Sequence, residues 1–260
     1  MRTRIGYGRL SGLAKAIGLA SFVCGCSAGP LNVLGVEKNS LSLGLIAHWS
    51  CDEGAGSTLV DRSGNGHDGV IAGATWIAGE FSGALHFDGA GSVIVPNFPQ
   101  AASNWTVATW YRPPVNDQPT DFLTLLSTEI PYAGGWELSV ILTPSKLRYD
   151  FGFATGGDSG ATPYQTADSN LVEAEVWAQL TGVVDADLMR VSLYENGELV
   201  DAQPLTSLMQ PGRPSLYIGR WGLDERRHLI GDLDDIAIYN RVLSQSEIRN
   251  LVSKPVPDPR

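Results

Sequence analysis

Short runs of β-branched and aromatic residues, separated by clusters of Gly, Asn, Asp and Pro, recur along the chain from about residue 44 onwards. In the run Trp105–Arg112 the residues alternate between two faces, as they do in a strand. Twelve such runs with turn signals between them predict two stacked antiparallel sheets. The predicted strands are 45–50, 84–88, 92–95, 105–112, 122–128, 136–143, 146–153, 176–184, 190–195, 198–202, 216–220 and 232–239.

Two local motifs add to this pattern. Asn196-Gly197 lies between two strand-like runs, and it predicts a type I′ hairpin because both central residues of that turn need positive φ. Ser244 and Glu247 have the spacing of a capping box. Ile248 and Leu251 follow at helical spacing, so one short helix is predicted at the end of the chain.

The composition is that of a folded protein, with 43% hydrophobic and 18% charged residues. The net charge is −10, and a phosphate-binding surface needs clustered Lys and Arg, so we expect no nucleic acid partner. Three cysteines are too few for a disulfide scaffold. A chain of 260 residues fits one large domain or two small ones and can bury a sizeable core. We expect the protein to be a monomer.

The N-terminus has the pattern of an export signal. A basic stretch precedes the apolar run 16–23, which is too short to span a bilayer. The segment Val23-Cys24-Gly25-Cys26 resembles the lipobox of bacterial lipoproteins, although Val23 and Cys24 depart from the usual residues. The resemblance implies a signal peptide over 1–25 and an acylated Cys26. The four basic residues are Arg2, Arg4, Arg9 and Lys15.

Ser27 resembles the sorting residue of outer-membrane lipoproteins, so we expect an exported protein of the cell envelope that touches the membrane only through its lipid anchor. The alternatives are a secreted protein, or an N-terminal helix of a cytosolic one. Residues 26–43 are predicted to be a tether, 44–252 the folded body and 253–260 a Pro-rich tail. Cys51 is expected to be a small core residue without a disulfide.

Several blocks of the body resemble the laminin-G-like jelly-roll family of the concanavalin A-like lectin/glucanase fold. The resemblance implies an all-β fold, a two-sheet antiparallel jelly-roll sandwich with a short C-terminal helix. It implies little about function, because this architecture hosts lectins, adhesion modules and glycosidases. The blocks are GLIAHWSCDEGAGSTLVDRSGNGHDG (44–69), ALHFDGAGSVIVP (84–96), WTVATWYRP (105–113), WAQLTGVVDADLMRVSLYENGELV (177–200), SLYIGR (215–220) and GDLDDIAIYNRVLSQSEIRNL (231–251).

The same resemblance implies a structural Ca²⁺ at Asp52 and Asp234, since the first and last strands of such a jelly roll are neighbours. Carboxylates and carbonyls from a glycine-rich loop form the oxygen cage that Ca²⁺ prefers. Strand alternation places Asp234 on the inward face with Ile236 and Ile238. The further candidate ligands are Asp61, Asn65 and Asp235. In the alternative interpretation, Asp52 caps a turn, residues 61–66 form a structured turn and Asp235 faces solvent.

Aromatic and arginine side chains in two loops are candidates for ligand binding, because sugars stack on aromatic faces and bond to polar groups. These candidates are Trp221, Arg220, Arg226, Tyr132 and Trp136. Alternatively, such tryptophans cover a sheet edge or pack under a loop. The remaining strand tryptophans are predicted to be core residues, namely Trp49, Trp105, Trp110 and Trp177.

Sequence motifs of catalysis are missing. The chain has no paired-carboxylate motif of the glycosidases of this fold, no H-E-x-x-H and no G-x-S-x-G. The sequence therefore predicts a non-catalytic, envelope-tethered module that binds a glycan or glycoprotein and holds a structural Ca²⁺. The alternatives are a protein-binding scaffold lipoprotein of the envelope, and a glycoside hydrolase or lyase on the same fold.

Overall fold

Sixteen strands, all within the part of the chain that the structure describes, pair antiparallel in two sheets. The computed structural model describes residues 40–100, 103–115, 121–130, 133–143, 146–154, 164–169, 173–222 and 227–258. The chain divides into units Met1–Val36 and Glu37–Arg260, and every described residue lies in the second. The strands are β1 (Leu45–Trp49), β2 (Thr58–Leu59), β3 (Gly69–Ala72), β4 (Thr75–Ala78), β5 (Gly83–Asp88), β6 (Ser92–Val95), β7 (Trp105–Arg112), β8 (Asp121–Ser127), β9 (Trp136–Thr143), β10 (Lys146–Ala154), β11 (Tyr164–Asp168), β12 (Ala178–Asp185), β13 (Arg190–Glu195), β14 (Glu198–Pro204), β15 (Leu216–Ile218) and β16 (Ile230–Tyr239).

The strand order is that of a jelly-roll sandwich. The first sheet runs β14-β13-β12-β7-β16-β5-β4, with β1 also paired to β16, and the second runs β11-β10-β9-β8-β15-β6-β3-β2. All twelve predicted strands are present, which confirms the predicted fold class. The sequence patterns missed β2, β3, β4 and β11, which are at most five residues long and too short for a clear alternation.

The last strand holds both the opening strand and β5 on one side. β5 pairs with the first part of β16, from Ile230 to Leu233, and β1 pairs with the second part, from Ile236 to Tyr239. Between these two parts the register on β7 shifts, so two residues of β16 lie opposite one residue of β7. This β-bulge lies at Asp235, which has a positive φ of 44°.

A large apolar core lies between the sheets, and a smaller one lies under the helix. The main core contains the fully buried rings of Trp49, Trp105 and Trp136. The helix α1 (Gln245–Ser253) buries Ile248 and Leu251 against the outer face of the first sheet, where they meet Ala237 and Tyr239 of β16. Cys51 is a free thiol in the main core, as predicted.

Both predicted local motifs are present. Ser244 caps α1 by accepting a bond from the N–H of Glu247, while the Glu247 carboxylate accepts from the N–H of Ser244 at 2.8 Å. Asn196 and Gly197 have φ values of 50° and 80° in the two-residue turn between β13 and β14. Local side-chain chemistry therefore determines these two features.

The packed body is wider than the predicted 44–252. Leu41, in a 3₁₀ turn at Ser40–Ser42, is buried against the outer face of the first sheet, so the predicted tether ends earlier than residue 43. Val256 is also buried, so the Pro-rich tail packs on the body as far as that residue. Over the described residues, no helix combines the length and the apolar character needed to cross a membrane.

Candidate functional site

The carboxylates of Asp52 and Asp234 bind the same turn, residues 79–83, which joins β4 to β5. Asp234 Oδ2 accepts from the N–H groups of Glu80 at 2.9 Å and Phe81 at 3.1 Å. Asp52 Oδ1 accepts from the N–H of Gly83 at 2.9 Å. The fold therefore brings both residues that the resemblance implied as calcium ligands to one turn.

Asp234 lies on a different face of β16 from the one predicted. The bulge at Asp235 interrupts the alternation, so Leu233 and Ile236 both enter the main core and Asp234 points to turn 79–83 instead. Strand alternation gave the wrong face because it assumes an unbroken strand. Glycine is needed in this turn, since a Cβ at Gly79 would lie 2.6 Å from Asp234 Oδ2.

One oxygen of Asp234 lacks a hydrogen bond. Oδ1 is buried, and the described residues provide it with no partner. Burial raises the pKa of the Asp234 carboxyl to about 7, against the opposing effect of the Phe81 N–H bond. A buried carboxylate oxygen without a partner is costly, and a cation is one group that would satisfy it.

Negative charge is concentrated around Cys51, at the end of β1. Burial is the main cause that raises the pKa of its thiol well above the ordinary value, and nearby carboxylates add to it. These carboxylates are Asp234, Glu53, Asp235 and Asp52. The thiol is therefore protonated at neutral pH, and the carboxylates lie close together.

Only two of these carboxylates lack a cationic or imidazole partner among the described residues. Glu53 pairs with the Arg62 guanidinium at 3.2 Å, and Asp235 Oδ1 lies 2.7 Å from His48 Nε2. Within the described ranges, Asp52 and Asp234 accept from backbone N–H groups alone. The donor chemistry of this pair therefore fits a hard cation that takes oxygen ligands.

The pair is a sparse site by itself. Within the described ranges, no group of three or more His, Cys, Asp or Glu side chains is placed to hold a metal ion. A Ca²⁺ here would take two carboxylates and would depend on backbone carbonyls and water for the rest of its six to eight oxygens.

The side chains of Asp61 and Asn65 form hydrogen bonds to the backbone within a structured turn, as the alternative interpretation expects. Asp61 accepts from the N–H groups of His48, Ser63 and His67 at 2.9 to 3.0 Å. These bonds lower the pKa of Asp61, although burial opposes them. Asn65 donates to the carbonyls of residues 45 and 46. The structure does not bring Asp61 or Asn65 to the turn that Asp52 and Asp234 share, and Asp235 bonds to His48 and Val256 instead.

The aromatic candidates for ligand binding fall into different environments. Trp136 is fully buried, 6.4 Å from Trp105 between ring centroids, so it cannot present a face to a ligand. This corrects the prediction, and the reason is that Trp136 begins β9 on its inward face. Tyr132 and Arg226 lie outside the described residues. Trp49, Trp105 and Trp110 are buried as predicted, whereas Trp177 is half-buried.

Trp221 lies half-buried beside a group that the sequence did not identify. Its indole N–H donates to Glu129 Oε2 at 3.1 Å. The guanidinium of Arg227 lies 4.3 Å from the centroid of the Trp221 ring and 5.2 Å from that of Phe122. Arg227 also lies 3.4 Å from Glu137 Oε2. An indole, a guanidinium and two carboxyl groups thus form one connected cluster.

Glu129 and Glu137 form a carboxyl pair in this cluster. Burial, followed by the hydrogen bond and charge of Glu137, raises the pKa of Glu129 to about 9. Glu137 also accepts from the Thr124 hydroxyl at 2.6 Å. In the sequence, Glu137 is recognisable as a charged residue inside the apolar run WELSVILT, which could have marked it as a candidate site residue. The proximity of Glu129 to Glu137 follows only from the fold.

A further carboxyl pair lies on the same face of the second sheet. Burial, followed by the neighbouring carboxylate of Asp168, raises the pKa of Asp150 well above its ordinary value, and Arg148 lies 3.2 Å from Asp168. In both pairs a neighbouring carboxyl group adds to the effect of burial on the pKa.

Arg220 lines an open cavity of about 410 Å³ together with Ser92 and His228. Its guanidinium lies 5.3 Å from the centroid of the Tyr217 ring. Its Nε is buried without a hydrogen-bond partner in the described part of the chain. Two predicted ligand residues, Arg220 and Trp221, thus follow β15 directly, and one of them faces a cavity of ligand size.

The chain belongs to the Laminin G 3 family of the concanavalin A-like lectin/glucanases superfamily, whose model matches residues 87–249. No curated protein matches the chain. The family and the strand order agree with the resemblance found in the sequence.

Solved structures similar to the chain include three structures of two binding domains. They are the binding domain of Paraclostridial Mosquitocidal Protein 1 (TM-score 0.64, 20% identity, 82% of this chain and 52% of that one), the binding domain of botulinum neurotoxin DC with rat synaptotagmin II (0.61, 16%, 82% and 52%), and the binding domain of botulinum neurotoxin DC with SialylT (0.61, 15%, 82% and 52%). The chain spans about half the length of these domains. At such identities the likeness shows the fold alone.

Proposed function

We propose that this chain is a non-catalytic binding module for a glycan or glycoprotein, tethered to the bacterial cell envelope. One observation carries the proposal. The segment after β15 places Arg220 in the lining of an open cavity with His228 and Ser92, and the next residue, Trp221, lies against the guanidinium of Arg227. Such a mixture of guanidinium, imidazole, hydroxyl and aromatic groups suits sugar hydroxyls and ring C–H groups.

The groups in this segment are held in place before a ligand arrives. The Trp221 indole is tied to Glu129, and Arg227 lies between the rings of Trp221 and Phe122. Side chains that are already ordered lose less entropy on binding, so weak polar contacts to a sugar are better used. The fold of the toxin binding domains, one of them solved with SialylT, supports the same class of ligand.

The proposal includes a structural Ca²⁺ at Asp52 and Asp234. It is supported by the unpartnered Asp234 Oδ1 and by the absence of a cationic partner for either carboxylate among the described residues. The ion would neutralise the two charges where β1, turn 79–83 and the bulge of β16 meet. Its role would be to stabilise this junction.

The proposal also places the module outside the cytoplasm, on the outer membrane, through lipid on Cys26. The support is the sequence of residues 1–27, all of which lie outside the described residues. Two or more acyl chains anchor a protein stably where one does not. The folded body would then contact the membrane only through its tether.

Retention of the purified full chain on a panel of immobilised polysaccharides and sialylated glycoproteins tests this function, with Ca²⁺ present or removed. We expect retention on at least one ligand, and at least about tenfold weaker binding for Arg220→Gln and Trp221→Ala, since each loses a direct or supporting contact worth about 1.4 kcal/mol or more. Trp76→Phe, a partly buried tryptophan of edge strand β4, is the matched control and should bind normally.

Three results would contradict the proposal. No retention on any glycan, together with crosslinking of the chain to one envelope protein through a non-glycosylated surface, would favour the scaffold function. Release of reducing sugar that a single Asp or Glu substitution abolishes would make the chain an enzyme. Retention that Trp76→Phe weakens as much as Trp221→Ala would place binding elsewhere on the fold.

A further inference from the structure

Another cavity, of about 370 Å³, opens on the outer face of the first sheet. Its polar side chains come from three adjacent strands. His86 of β5 and Arg112 of β7 are both register partners of Asp232 in the central strand β16. These three residues lie in different segments of the chain, so no local sequence pattern groups them as a ligand site.

Asp232 orients the other two side chains. Its Oδ1 lies 2.7 Å from His86 Nδ1 and its Oδ2 lies 2.7 Å from Arg112 Nε, and it is itself buried. Since a carboxylate only accepts hydrogen bonds, His86 Nδ1 is the donor and Nε2 remains as the free ring nitrogen. Both oxygens of Asp232 are used, so the pair His86 and Arg112 is held in one arrangement.

The guanidinium of Arg112 retains free donors. Its Nη groups have no hydrogen-bond partner in the ranges that the structure describes, and its Cζ lies 4.9 Å from the centroid of the half-buried Trp177 ring. The ring and Asp232 together fix the plane of the guanidinium. Arg112 therefore presents a rigid pair of N–H donors at the cavity.

Glu175 adds an exposed carboxylate to the lining. It has a left-handed backbone with φ of 61°, and its N–H donates to the Pro113 carbonyl at 2.9 Å. A non-glycine residue in this region costs on the order of 1 kcal/mol. At Gly231 a side chain has no room, because a Cβ would lie 2.6 Å from the Arg112 carbonyl oxygen. The lining is thus polar at Glu175, and Gly231 allows the close approach of the β7 backbone and of the Tyr111 ring.

The charges of the lining decide which ligand suits it. One guanidinium faces two carboxylates, Asp232 and Glu175, so an anion would gain little from Arg112 and would be repelled by Glu175. Donors on Arg112, acceptors on Glu175 and the ring of His86 lie beside an apolar wall of two prolines and Ile230. Neighbouring hydroxyl groups on a ring with apolar C–H faces need this combination.

We infer that this cavity binds a neutral, hydroxyl-rich ligand of the size of one sugar residue, held between Arg112 and Glu175. The site does not depend on the function proposed above, because the two cavities share no lining residue. His86 lines one cavity and His228 the other, so ligand binding at each cavity can be followed separately through the NMR signals of its own histidine.

The experiment follows the ring nitrogens of the four histidines of the purified full chain by NMR while neutral methyl hexopyranosides are added, with the methyl glycoside of sialic acid as the anionic probe. We expect a saturable shift of the His86 signals with at least one neutral glycoside. The affinity should fall at least about tenfold in Arg112→Gln and in Glu175→Gln, as for loss of a bond worth about 1.4 kcal/mol. Arg220→Gln, in the other cavity, is the control and should leave the His86 shift unchanged.

Three results would overturn the inference. The first is no His86 shift with any neutral glycoside at about 100 mM, a concentration well above millimolar Kd values. The second is a His86 shift with the sialoside alone, and the third is a His86 shift in Glu175→Gln equal to that of the wild type. Glu175 is exposed, so its variant keeps the test valid if Arg112→Gln fails to fold. A shift at His228 alone would support the function proposed above and overturn this one.

Discussion

His48 Nε2 lies 2.7 Å from Asp235 Oδ1, and both side chains are buried. His48 belongs to β1 and Asp235 to the bulge of β16, so this contact joins the opening strand of the body to its last strand. The other oxygen, Asp235 Oδ2, accepts from the N–H of Val256 at 2.9 Å. One carboxylate therefore ties together the first strand, the bulge and the C-terminal tail.

Asp235→Ala is expected to reduce the free energy of unfolding by about 3 kcal/mol, because it leaves the His48 ring and the Val256 N–H buried without a partner. Urea denaturation at pH 7 measures this change. Asp88→Ala is the control, since Asp88 is exposed and its side chain accepts from the N–H of Ala90 in a local turn. A loss below about 0.5 kcal/mol for Asp235→Ala, typical of surface substitutions, would mean that this contact does not hold the strands together.

Ca²⁺ is expected to raise the melting temperature of the purified chain, and EDTA to lower it, because an ion that binds only the native state stabilises by about 2.7 kcal/mol at a hundred times its Kd. Asp52→Asn and Asp234→Asn should abolish the difference between the two conditions.

Asp61→Asn is the matched control for this measurement. It should lower the melting temperature, since Asp61 accepts several turn hydrogen bonds, but the response to Ca²⁺ should remain. Identical melting curves of the wild type with Ca²⁺ and with EDTA would show that Asp52 and Asp234 serve only turn 79–83.

Glu129→Gln is expected to change how stability depends on pH. The pKa of Glu129 is raised from 4.5 to about 9, chiefly by burial, so the native state binds a proton that the unfolded state has lost over this range. This contribution to stability is fully present below about pH 4.5 and is lost as the pH rises towards about 9. The neutral glutamine keeps an acceptor for Trp221 and removes the dependence.

Urea denaturation at pH 5, 7 and 9 measures the effect. We expect the wild type to lose at least about 2 kcal/mol relative to Glu129→Gln over this range, as for a shift of two pKa units or more. Glu198→Gln is the control, because Glu198 is exposed and pairs with Arg249 on the surface. Parallel profiles of the wild type and Glu129→Gln would show that Glu129 is ionised in the native state.

Cys26→Ser is expected to abolish incorporation of a fatty-acid label into the chain when it is expressed in a bacterial host. The same variant should move the protein from the membrane fraction to the soluble one, because the acyl chains supply the anchor. Cys24→Ser is the control and should be labelled normally. Equal labelling of the wild type and Cys26→Ser would show that Cys26 is not the residue that carries the lipid.

The sequence by itself determined the features that depend on neighbours along the chain. Alternating residues placed twelve strands, Asn196-Gly197 placed a hairpin because of its positive φ values, and Ser244 with Glu247 placed the start of α1. Block order and spacing then indicated the family, and with it the contact of β1 with β16.

Only the tertiary structure decided which way the side chains of the candidate site residues point and which of them lie together. A one-residue bulge at Asp235 moved Asp234 out of the core, and the inward side of β9 took Trp136 away from the surface. The groups Glu129 with Glu137, and His86 with Arg112 and Asp232, come from strands far apart in the chain. Their positions depend on strand register and sheet order, which arise from packing across the whole body and leave no mark in any local pattern.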